Sequence, residues 1–575
     1  MFLSTKITTS TIILILTLSF ILVSIPEVRL VKAASEIIRI REDGTVEGTD
    51  KIQRDGDIYT LTGDINGSVG AEEAFIFVEN HNIVIDGAGY TIQGTGQGTG
   101  ILMMRRQNVT IKNVNIKGFG TGINFWAVHN WPPDSKYWGL EPASNNRILD
   151  NNITIPVIQG IIEAEVLAWG IYLQEAHDTL ISGNTITSQD PKSGVFCGDW
   201  SCYNNTFLNN RFVGCGLFLT SSNQNTILNN MVDSKRLIHF EGASNQVIDG
   251  AGQVFLFNCN NMTVKNVDSP VDLTISVYLS GTTNSEITNC SGHISLADSR
   301  NNTISENRLV NAKSTVRTSA LCALELLNCQ YNTVFGNDIA MSGETWAGSE
   351  CIHISNSAYN NIYGNNIYGT EVPNKGRAIY LTGSTSNSIH GNNITKSETA
   401  IYSASDTRET IYQNNFEGCN VAISMSSSSG YSVFANNITN CITGVSIFES
   451  NNNAFYHNNF IDNKQHVFEQ HESYYPPFYR YSVNNTWDNG VDGNYWSDYN
   501  GTDNNGDGIG DTPYTVYENY TDRYPLMNPV VIQEFPDTTP PFPTWIVAAI
   551  VIIAVVGAAL LVYFAKVKKT TEKIE

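Results

Sequence analysis

The sequence predicts an all-β solenoid, a parallel β-helix built from coils of about 22 residues. Three observations predict this fold class. An asparagine recurs at an interval of 22 residues, at Asn414, Asn436 and Asn458. Short β-forming stretches lie on either side of each asparagine, and no helical apolar stripe runs through the repeat. About 22 residues at roughly 3.3 Å each would form three short strands and return one strand spacing along the axis.

The recurring asparagine is expected to occupy a turn of every coil, because Asn tolerates left-handed backbone angles and bonds to nearby backbone groups. Stacked turns would let the amide of each asparagine bond to the asparagine of the next coil. We call this series the asparagine ladder. Its upstream members are predicted to be Asn392, Asn365, Asn337, Asn307, Asn230, Asn210, Asn184, Asn151 and Asn113.

One half of the coil has a fixed length. A small residue followed by an apolar one, such as Ala422-Ile423, precedes nearly every ladder asparagine by 14 residues. The other half takes 8 residues after Asn414 but 13, 14 and 16 after Asn365, Asn337 and Asn307. The insertions therefore share one turn and should lie on one flank, where repeat proteins commonly bind partners. Neutral variation in the length of surface loops would give the same pattern of insertions.

A different insertion lengthens the half-coil that is otherwise fixed. Between Gly122 and Asn151 this half grows from 14 to 29 residues and gains several aromatic side chains. Exposed aromatic rings stack on sugar faces or anchor protein partners. The residues predicted to bind a glycan or a partner are therefore Trp126, Trp131, Tyr137 and Trp138. Alternatively, the loop folds back as a lid and buries these rings.

The two ends of the chain predict secretion and a membrane anchor. Residues 1–33 combine Lys6, an apolar run and a small-residue cleavage site, which is the pattern of a signal peptide. Residues 545–564 are apolar and long enough for one transmembrane helix. Lysines follow in residues 565–575, so the positive-inside rule makes this tail cytoplasmic and everything before the span extracellular. An uncleaved signal would add a second span and leave the β-helix outside.

Four segments are predicted between these ends. Residues 34–80 should cap the open strand edge of the solenoid, and residues 81–485 should form the β-helix. Residues 486–529 form a Trp- and Asp-rich C-terminal module, and residues 530–544 a Pro-rich stalk. The string Val-Ile-Asp-Gly-Ala-Gly at 84–89 returns at 247–252, where the asparagine register is poor. We therefore expect the solenoid to kink or restart there.

Composition narrows the class of function. The net charge is −22, with Asp and Glu spread rather than clustered, and this argues against nucleic acid as a partner, because nucleic-acid binding needs cationic patches. Sequons such as Asn66 fit a glycosylated exterior protein. Among the ten cysteines, Cys419 and Cys441 occupy the same place on adjacent coils, and Cys197 and Cys202 flank a short loop. Each pair forms either a disulfide or two small buried side chains.

The sharpest chemical motif lies in the C-terminal module. Residues 503–511, Asp-Asn-Asn-Gly-Asp-Gly-Ile-Gly-Asp, place oxygen-bearing side chains at alternate positions around a glycine, as in loops that wrap a hard cation. The segment matches the start of the EF-hand pattern but lacks its final glutamate. It predicts a structural Ca²⁺ site, and the alternative is an Asx-rich turn without a metal. The predicted ligands are the side chains of Asp503, Asn505, Asp507 and Asp511 and the carbonyl of Ile509.

Several motifs together resemble a known family. The repeated Asn-Thr-Ile-x-x-Asn-x-Ile pattern, the Gly-Asn-Tyr-Trp-Ser-Asp-Tyr string at 493–499 and Asp-Arg-Tyr-Pro-Leu-Met at 522–527 resemble the NosD-like right-handed parallel β-helix family. The likeness covers roughly residues 55–530 and extends to surface-anchored archaeal members. It implies a right-handed β-helix. It also implies sugar contact, because carbohydrate-binding proteins and sugar hydrolases share the repeat. The family is named for copper-enzyme maturation, yet Cys, Met and His are scattered here, whereas copper sites cluster them.

Three classes of function remain open. The protein binds polysaccharides or cell-surface glycoproteins without catalysis, or it is an extracellular polysaccharide lyase, glycosidase or epimerase, or it assists maturation of a secreted copper enzyme. Glycosidases need paired carboxylates, and no tight Asp pair stands out in the sequence. His177-Asp178 and Asp199 beside Trp200 are the only isolated catalytic candidates. The sequence therefore favours binding.

Overall fold

Each coil of the solenoid contains up to three strands, and each strand pairs in parallel with the same strand of the next coil. The pairing follows the sequence repeat, since Thr399, Val421 and Thr443 align in succession. The predicted parallel β-helix is therefore confirmed. The structure is a computed structural model, and the residues it describes contain strands and no helix. Those residues are 37–125, 142–156, 169–188, 194–197, 202–219, 224–269, 275–310, 322–341, 349–369, 376–470, 482–518 and 520–532.

Strands of the first stack of coils form three sheets, which we number in the order in which a coil visits them. Sheet I contains Val46–Glu47, Ile38–Ile40, Ala74–Val78, Thr99–Leu102, Thr121–Asn124, Trp169–Tyr172, Val195–Cys197 and Leu217–Leu219. Sheet II contains Ile52–Asp55, Ile58–Leu61, Val84–Asp86, Thr110–Lys112, Arg147–Leu149, Leu180–Ser182, Thr206–Leu208 and Thr226–Leu228. Sheet III contains Ile65–Asn66, Thr91–Gln93, Asn115–Lys117, Asn152–Ile155, Thr185–Ser188, Arg211–Val213 and Met231–Val232.

A second stack repeats the same three sheets. Its sheet I contains Lys235–Glu241, Gln253–Phe257, Val277–Ser280, Ile294–Ala297, Cys322–Leu327, Glu350–Ser355, Arg377–Thr382, Thr399–Ala404, Val421–Ser426, Thr443–Phe448 and Gln465–Glu469. Its sheet II contains Val247–Asp249, Thr263–Lys265, Glu286–Thr288, Thr303–Ser305, Thr333–Phe335, Asn361–Tyr363, Ser388–His390, Thr410–Tyr412, Ser432–Phe434 and Ala454–Tyr456. Its sheet III contains Ser291–Gly292, Arg308–Val310, Asp338–Ala340, Asn366–Tyr368, Asn393–Thr395, Asn415–Glu417, Asn437–Thr439, Asn459–Ile461 and Tyr495–Trp496. Two separate pairs are Ala143–Ser144 with Ala176–His177, and Tyr514–Tyr517 with Tyr520–Asp522.

The N-terminal edge of the solenoid is closed by antiparallel strands. Within the predicted cap, residues 34–80, the first coil already begins, because Ile38–Ile40 pairs in parallel with Ala74–Val78. Val46–Glu47 and Ile52–Asp55 run antiparallel to their neighbours on the outer side of this coil. An antiparallel strand at the end of a parallel stack covers backbone N–H and C=O groups that would otherwise pair with a strand of another chain.

The two stacks meet where the sequence register is poor. Met231–Val232 ends sheet III of the first stack and turns back, antiparallel, onto Lys235–Glu241, which starts sheet I of the second. Gln253 is buried at this junction, and its amide donates to the carbonyls of Leu217 and Ile275 at 2.7 Å. The solenoid therefore restarts at the position that the repeated Val-Ile-Asp-Gly-Ala-Gly string indicated.

Aliphatic and aromatic side chains from all three sheets fill the interior. In the regular coil that begins at Thr399, the inward residues Ile401, Ile411 and Phe416 are completely buried. Burial of a side chain of this size contributes about 1.5–3 kcal/mol relative to leaving it exposed. Ala400 is also fully buried. Its neighbours Thr399 and Ile401 pair with residues of the next strand, whereas Ala400 does not. This explains the small residue at that point in most of the regular coils, such as Ala378, Ala400, Ala422 and Gly444.

The asparagine ladder is confirmed and is fully hydrogen-bonded. The Oδ1 of Asn436 accepts from both the backbone N–H and the side-chain amide of Asn414 at 3.0 Å. That amide also donates to the carbonyl of Ile389 at 2.9 Å. The same bonds link Asn151, Asn184, Asn210 and Asn230 in the first stack and Asn307, Asn337, Asn365, Asn392, Asn414, Asn436, Asn458 and Asn494 in the second.

Two details of the ladder prediction are wrong. Asn113 is not a member, because Val114 takes that position and donates its N–H to Asn151 at 3.1 Å. The left-handed residue is not the ladder asparagine but the residue before it, such as Gln413 or Ala435, with φ of 55° and 53°. The ladder side chain must point inward to reach its neighbours, so the exposed residue before it takes up the turn.

A second asparagine ladder lies five residues before the first. Amides of Asn302, Asn332 and Asn360 each donate to the next member, and the series continues to Asn387. The first asparagine of the repeated Asn-Thr-Ile-x-x-Asn motif carries this ladder. The next coil replaces it with a carboxylic acid. Glu409 is buried and accepts from the backbone and side chain of Asn387 at 2.6 and 3.1 Å.

The C-terminal module completes the last coil instead of starting after it. The β-helix was predicted to end near residue 485, yet Tyr495–Trp496 pairs in parallel with Asn459–Ile461. Two indoles close the core, since Trp487 stacks on Phe455 and Trp496 on Phe460, each with ring centroids 4.3 Å apart. The module is therefore the C-terminal end cap of the solenoid.

The cysteines are packing residues in this structure. All ten are buried and none forms a disulfide. The bridges considered for Cys419 with Cys441 and for Cys197 with Cys202 are therefore not formed. The thiol of Cys202 donates to the carbonyl of Leu173 at 3.0 Å, so it is held by a local hydrogen bond.

The predicted signal peptide, transmembrane helix and cytoplasmic tail lie outside the described residues, and so does the stalk beyond residue 532. Within the ranges that are described, no helix is long and apolar enough to cross a membrane.

Candidate functional site

The aromatic loop predicted to bind a glycan or partner lies outside the described residues. This applies to Trp126, Trp131, Tyr137 and Trp138. The structure describes the residue that leads into the loop, Phe125, and its side chain is buried in the core.

The predicted Ca²⁺ loop is described and folds as a hydrogen-bonded turn. Asp503 accepts from the N–H groups of Gly506 and Gly508 at 2.7 and 2.9 Å, and these bonds lower its pKa. Asp507 accepts from the N–H of Ile509 at 2.9 Å. Asp511 accepts from Asn504, while Asn505 donates to Asp507. The side-chain oxygens are exposed and bonded to the loop itself, so Ca²⁺ binding stays a prediction.

The isolated pair His177-Asp178 sits at the edge of the first stack. The Nδ1 of His177 lies 2.6 Å from Asp178, and its ring stacks on Tyr203 at 4.7 Å. The hydrogen bond from His177 lowers the pKa of Asp178. This geometry pairs the carboxylate of Asp178 with an imidazole in a turn. Asp199 and Trp200 lie outside the described residues.

The richest cluster of chemistry lies on the outer face of sheet I in the second stack. Five side chains there stand on consecutive strands and pair in succession: Ser295, Glu325, His353, Tyr380 and Tyr402. We call this row the sheet I surface. Neighbouring strands are about 4.8 Å apart, and the half-buried members of the row, Glu325, His353, Tyr380 and Tyr402, offer one polar or aromatic group at each strand spacing along the axis. Ser295 is buried beside them.

The first residues of three of these strands form a second row. Cys322, Glu350 and Arg377 pair in succession beside the sheet I surface. Glu350 is 1% exposed, and its Oε1 lies 3.6 Å from the guanidinium of Arg377. Its Oε2 lies 3.7 Å from Nδ1 of His353 and has no hydrogen-bond partner. Burial raises the pKa of Glu350 to about 7, and Arg377 opposes that increase.

Arg377 links the two rows. Its guanidinium lies 4.6 Å from the ring centroid of Tyr380 and 4.1 Å from that of Tyr402. The ring of His353 stacks on Tyr380 at 5.0 Å. About a third of the Arg377 side chain is exposed. Stacking between a cation and aromatic rings fixes the guanidinium while leaving its edge available to a ligand.

The flank insertions lead directly into this cluster. Those after Asn307, Asn337 and Asn365 each connect sheet III to sheet I and enter the strands that begin at Cys322, Glu350 and Arg377. The prediction that the insertions share one turn is confirmed. Most residues of these connections lie outside the described ranges.

An aromatic row on sheet II has a different character. Phe335, Tyr363, His390, Tyr412, Phe434 and Tyr456 stack face to face with centroids 4.5 to 5.2 Å apart. Each ring covers the faces of its neighbours, so only the edges are exposed. Sugars stack on ring faces. This row therefore stabilises the solenoid and does not provide stacking platforms.

The cluster on sheet I was missed in the sequence, although its signal is present. Glu325, His353, Tyr380 and Tyr402 each follow the small-apolar pair that marks a coil, as in Ala378-Ile379 before Tyr380. Because side chains alternate along a strand, the residue after the inward apolar one must face outward. Reading that single position in every coil would have assembled the row.

The sequence matches the model of the family described as "Periplasmic copper-binding protein (NosD)" over residues 39–214, 139–252, 342–418 and 367–501. These matches cover more than half of the 575 residues. The chain belongs to the NosD family. The resemblance inferred from its motifs is therefore confirmed. No curated protein matches the chain.

Solved structures similar to this NosD family member include three β-helical proteins. A periplasmic alginate epimerase AlgG variant is 10% identical with a TM-score of 0.23, and the match covers 78% of this chain and 82% of that one. PfbA, a surface adhesin of Streptococcus pneumoniae, is 12% identical with a TM-score of 0.29, over 61% and 82%. The tailspike protein of E. coli bacteriophage HK620, in complex with a pentasaccharide, is 12% identical with a TM-score of 0.28, over 70% and 72%.

Proposed function

We propose that this chain is an exterior β-helix protein that binds a carbohydrate chain along the sheet I surface without cleaving it. The observation that carries the proposal is the row of polar and aromatic side chains from Glu325 to Tyr402, which lies beside the turn that contains the insertions. The predicted signal peptide and transmembrane segment support an extracellular location and an anchor in the cell membrane. The partner is a polysaccharide or the glycan of a cell-surface glycoprotein.

The chemistry of the row suits an extended sugar polymer. Sugar hydroxyls are fixed by hydroxyl, carboxylate and guanidinium groups, and aromatic rings supply apolar contact. Tyr380, Tyr402 and Arg377 form a prestacked unit, so little side-chain entropy is lost when a ligand binds. The guanidinium of Arg377 also offers two parallel N–H donors to the carboxylate of an acidic sugar. The flat, parallel sheet lets a linear chain run along the solenoid axis.

Binding is favoured over catalysis because of how the acids are placed. Glycosidases hold two carboxyl groups on either side of the scissile bond. Here Glu350 is buried beneath Arg377, and Glu325 accepts from the hydroxyl of Ser295 at 2.7 Å. Glu325 is therefore the single accessible acid of the row.

The experiment separates binding from catalysis. The purified full-length chain is incubated with a panel of acidic and neutral polysaccharides, and binding heat is measured alongside new reducing and unsaturated ends. We expect saturable binding to at least one polysaccharide and no product. Product formation that is abolished by Glu325→Gln would replace the proposal with catalysis, and absence of binding to the whole panel would end it.

A second candidate function is accessory maturation of a secreted copper enzyme, which the family description suggests. Copper sites draw on Cys, Met and His ligands. The ligand atoms of Cys322, Glu325 and His353 all lie within 4.8 Å of one another. One thiol and one imidazole fit a copper ion, whereas the carboxylate suits a harder ion. The donor set therefore fits a divalent ion at this position.

A further inference from the structure

Three potential metal ligands converge at the edge of the sheet I surface. Glu325 and His353 are directly paired on neighbouring strands, and Cys322 begins the strand that carries Glu325. In the part of the chain that the structure describes, this is the one group of three His, Cys, Asp or Glu side chains whose ligand atoms all lie within 4.8 Å of one another. A tetrahedral ion with bonds of roughly 2.0–2.3 Å needs donors about 3.5 Å apart. Small side-chain rotations would close that gap.

The chemistry of the three donors is mixed. A thiolate and an imidazole bind borderline-soft ions such as Zn²⁺, and Zn²⁺ also accepts a carboxylate oxygen. Ca²⁺ and Mg²⁺ prefer sites made only of oxygen donors. Three protein ligands leave a fourth position open to water or to an oxygen of a bound molecule.

A second observation points to a ligand at this place. Glu350 is 1% exposed, and its Oε2 has no hydrogen-bond partner. That oxygen lies 3.7 Å from Nδ1 of His353, while Nε2 of the same ring is also buried without a partner. Buried polar atoms are nearly always hydrogen-bonded. A histidine that binds a metal through one ring nitrogen commonly donates its other N–H to a carboxylate.

We propose that Cys322, Glu325 and His353 bind one Zn²⁺-like divalent transition-metal ion, with Glu350 as the residue that orients His353. Binding replaces the thiol proton of Cys322 with a metal–sulfur bond, and the proton passes to solvent. The site shares Glu325 and His353 with the row proposed to bind the glycan, but metal binding does not require a sugar.

The competing explanation is packing. Small buried thiols fill the core of this solenoid in nine other places, so Cys322 has a structural role available to it. Packing alone does not explain why His353 and Glu325 meet the thiol, or why Glu350 is left with an unpaired oxygen. Cys351 provides a matched control, because it is a buried thiol on the next strand and does not belong to the group.

The test uses Co²⁺ as the probe. The metal-free full-length chain is titrated with Co²⁺, and the thiolate-to-cobalt charge-transfer absorption is followed without any sugar present. We expect one Co²⁺ per chain, displacement by Zn²⁺ and no displacement by Ca²⁺. The band should disappear in Cys322→Ser and persist in Cys351→Ser. Glu350→Gln should weaken binding by about 10- to 100-fold through loss of histidine orientation.

Each outcome decides the proposal. A folded wild-type chain that shows no charge-transfer band overturns it, and so does a band that survives in Cys322→Ser. Where Cys322→Ser does not fold, Glu325→Gln is the second variant, because Glu325 is only half-buried. Unchanged Co²⁺ affinity in Glu325→Gln would also contradict the proposed ligand set. Failure of sugar binding leaves this result untouched, because the titration contains no sugar.

Discussion

At the scale of single residues, the fold depends on buried asparagines whose side chains both donate and accept hydrogen bonds. Each ladder amide both donates and accepts inside the core, as Asn436 does between Asn414 and Asn458. The spacing and identity of these residues could be predicted from sequence because the repeat is regular. Asn113 was misassigned because Val114 fills its coil's ladder position and gains an inward apolar contact instead.

We predict that Asn436→Asp destabilises the protein by at least about 2 kcal/mol, because buried carbonyls lose their donors and a carboxyl group enters the core. The amide of Asn436 donates to Asn458, to Ile411 and to Phe434 at 2.9, 2.9 and 3.1 Å. Urea unfolding at neutral pH measures the loss. The control Asn452→Asp, at an exposed turn, should change stability by less than about 0.5 kcal/mol. Equal effects would mean that the ladder is not the stabilising element.

Two buried acids make stability depend on pH. Glu409 replaces a ladder asparagine, and burial raises its pKa to about 9. Burial also raises the pKa of Asp406 to about 6, although Ser384 and Ser403 donate to it. Tyr431 faces both acids, and burial raises its pKa as well. Both carboxyl groups bind protons more tightly in the folded state, so their stabilisation is greatest at low pH and is lost as the pH rises.

We predict that the free energy of unfolding falls as the pH rises from about 4.5 to about 9 because of Glu409, with Asp406 adding to the decline between about 3.8 and about 6. Each group contributes about 1.4 kcal/mol per pH unit within its window. Urea unfolding at a series of pH values measures the slope. Glu409→Gln should flatten it above pH 6, because the amide does not titrate. An unchanged slope in that variant would show that Glu409 ionises freely.

At the scale of the element, the two halves of a coil obey different rules. The half from the small residue to the ladder asparagine contains the paired strands of sheets I and II, whereas the half after it carries the variable connections. This difference was visible in the sequence as constant and variable spacing. The outward side chains of sheet I were not visible in the sequence in this way, because an outward residue has no periodic apolar signal to mark it.

We predict that one glycine inserted between Ile423 and Ser424, within the strand Val421–Ser426, lowers the melting temperature much more than one inserted between residues 371 and 372. A shift of one residue in a strand turns its inward side chains outward, while a longer connection costs little closure entropy. Thermal unfolding followed by circular dichroism compares the two. If both insertions were equally benign, the fixed half-coil would have no structural basis.

The loop at residues 503–511 carries its own prediction. Several carboxylates in one short exposed loop repel one another, so Ca²⁺ should stabilise the end cap that contains Trp487 and Trp496. Extracellular sites bind Ca²⁺ at about 10⁻⁴ to 10⁻³ M, so Ca²⁺ at about 1 mM should stabilise the chain by about 0.4–1.4 kcal/mol. Calorimetry of the full chain in Ca²⁺ and in chelator measures the difference. No binding heat and no change in melting temperature would leave an Asx-rich turn.

At the scale of the whole molecule, the solenoid turns a repeated sequence into a repeated surface. Ladders and a stacked aromatic row hold the coils in register, and this leaves the outer face of sheet I free to carry unlike residues. Tyr402 and Tyr412 belong to the same coil, yet Tyr402 contacts Arg377 while Tyr412 is stacked between His390 and Phe434. We therefore expect the face that carries Tyr402 to bind the ligand and the face that carries Tyr412 to maintain the stack.

The sugar affinity of variants on the two faces, at Tyr402 and Arg377 on sheet I and at Tyr412 on sheet II, tests the central claim most directly. A polysaccharide that binds the wild-type chain is titrated calorimetrically into Tyr402→Ala, Arg377→Ala and Tyr412→Ala, after circular dichroism has shown that each variant is folded. We predict that Tyr402→Ala and Arg377→Ala weaken binding by at least about tenfold, which corresponds to about 1.4 kcal/mol. Tyr412→Ala should bind as the wild type does. Undiminished binding in the first two variants, or a loss confined to Tyr412→Ala, would contradict the assignment of the sheet I surface.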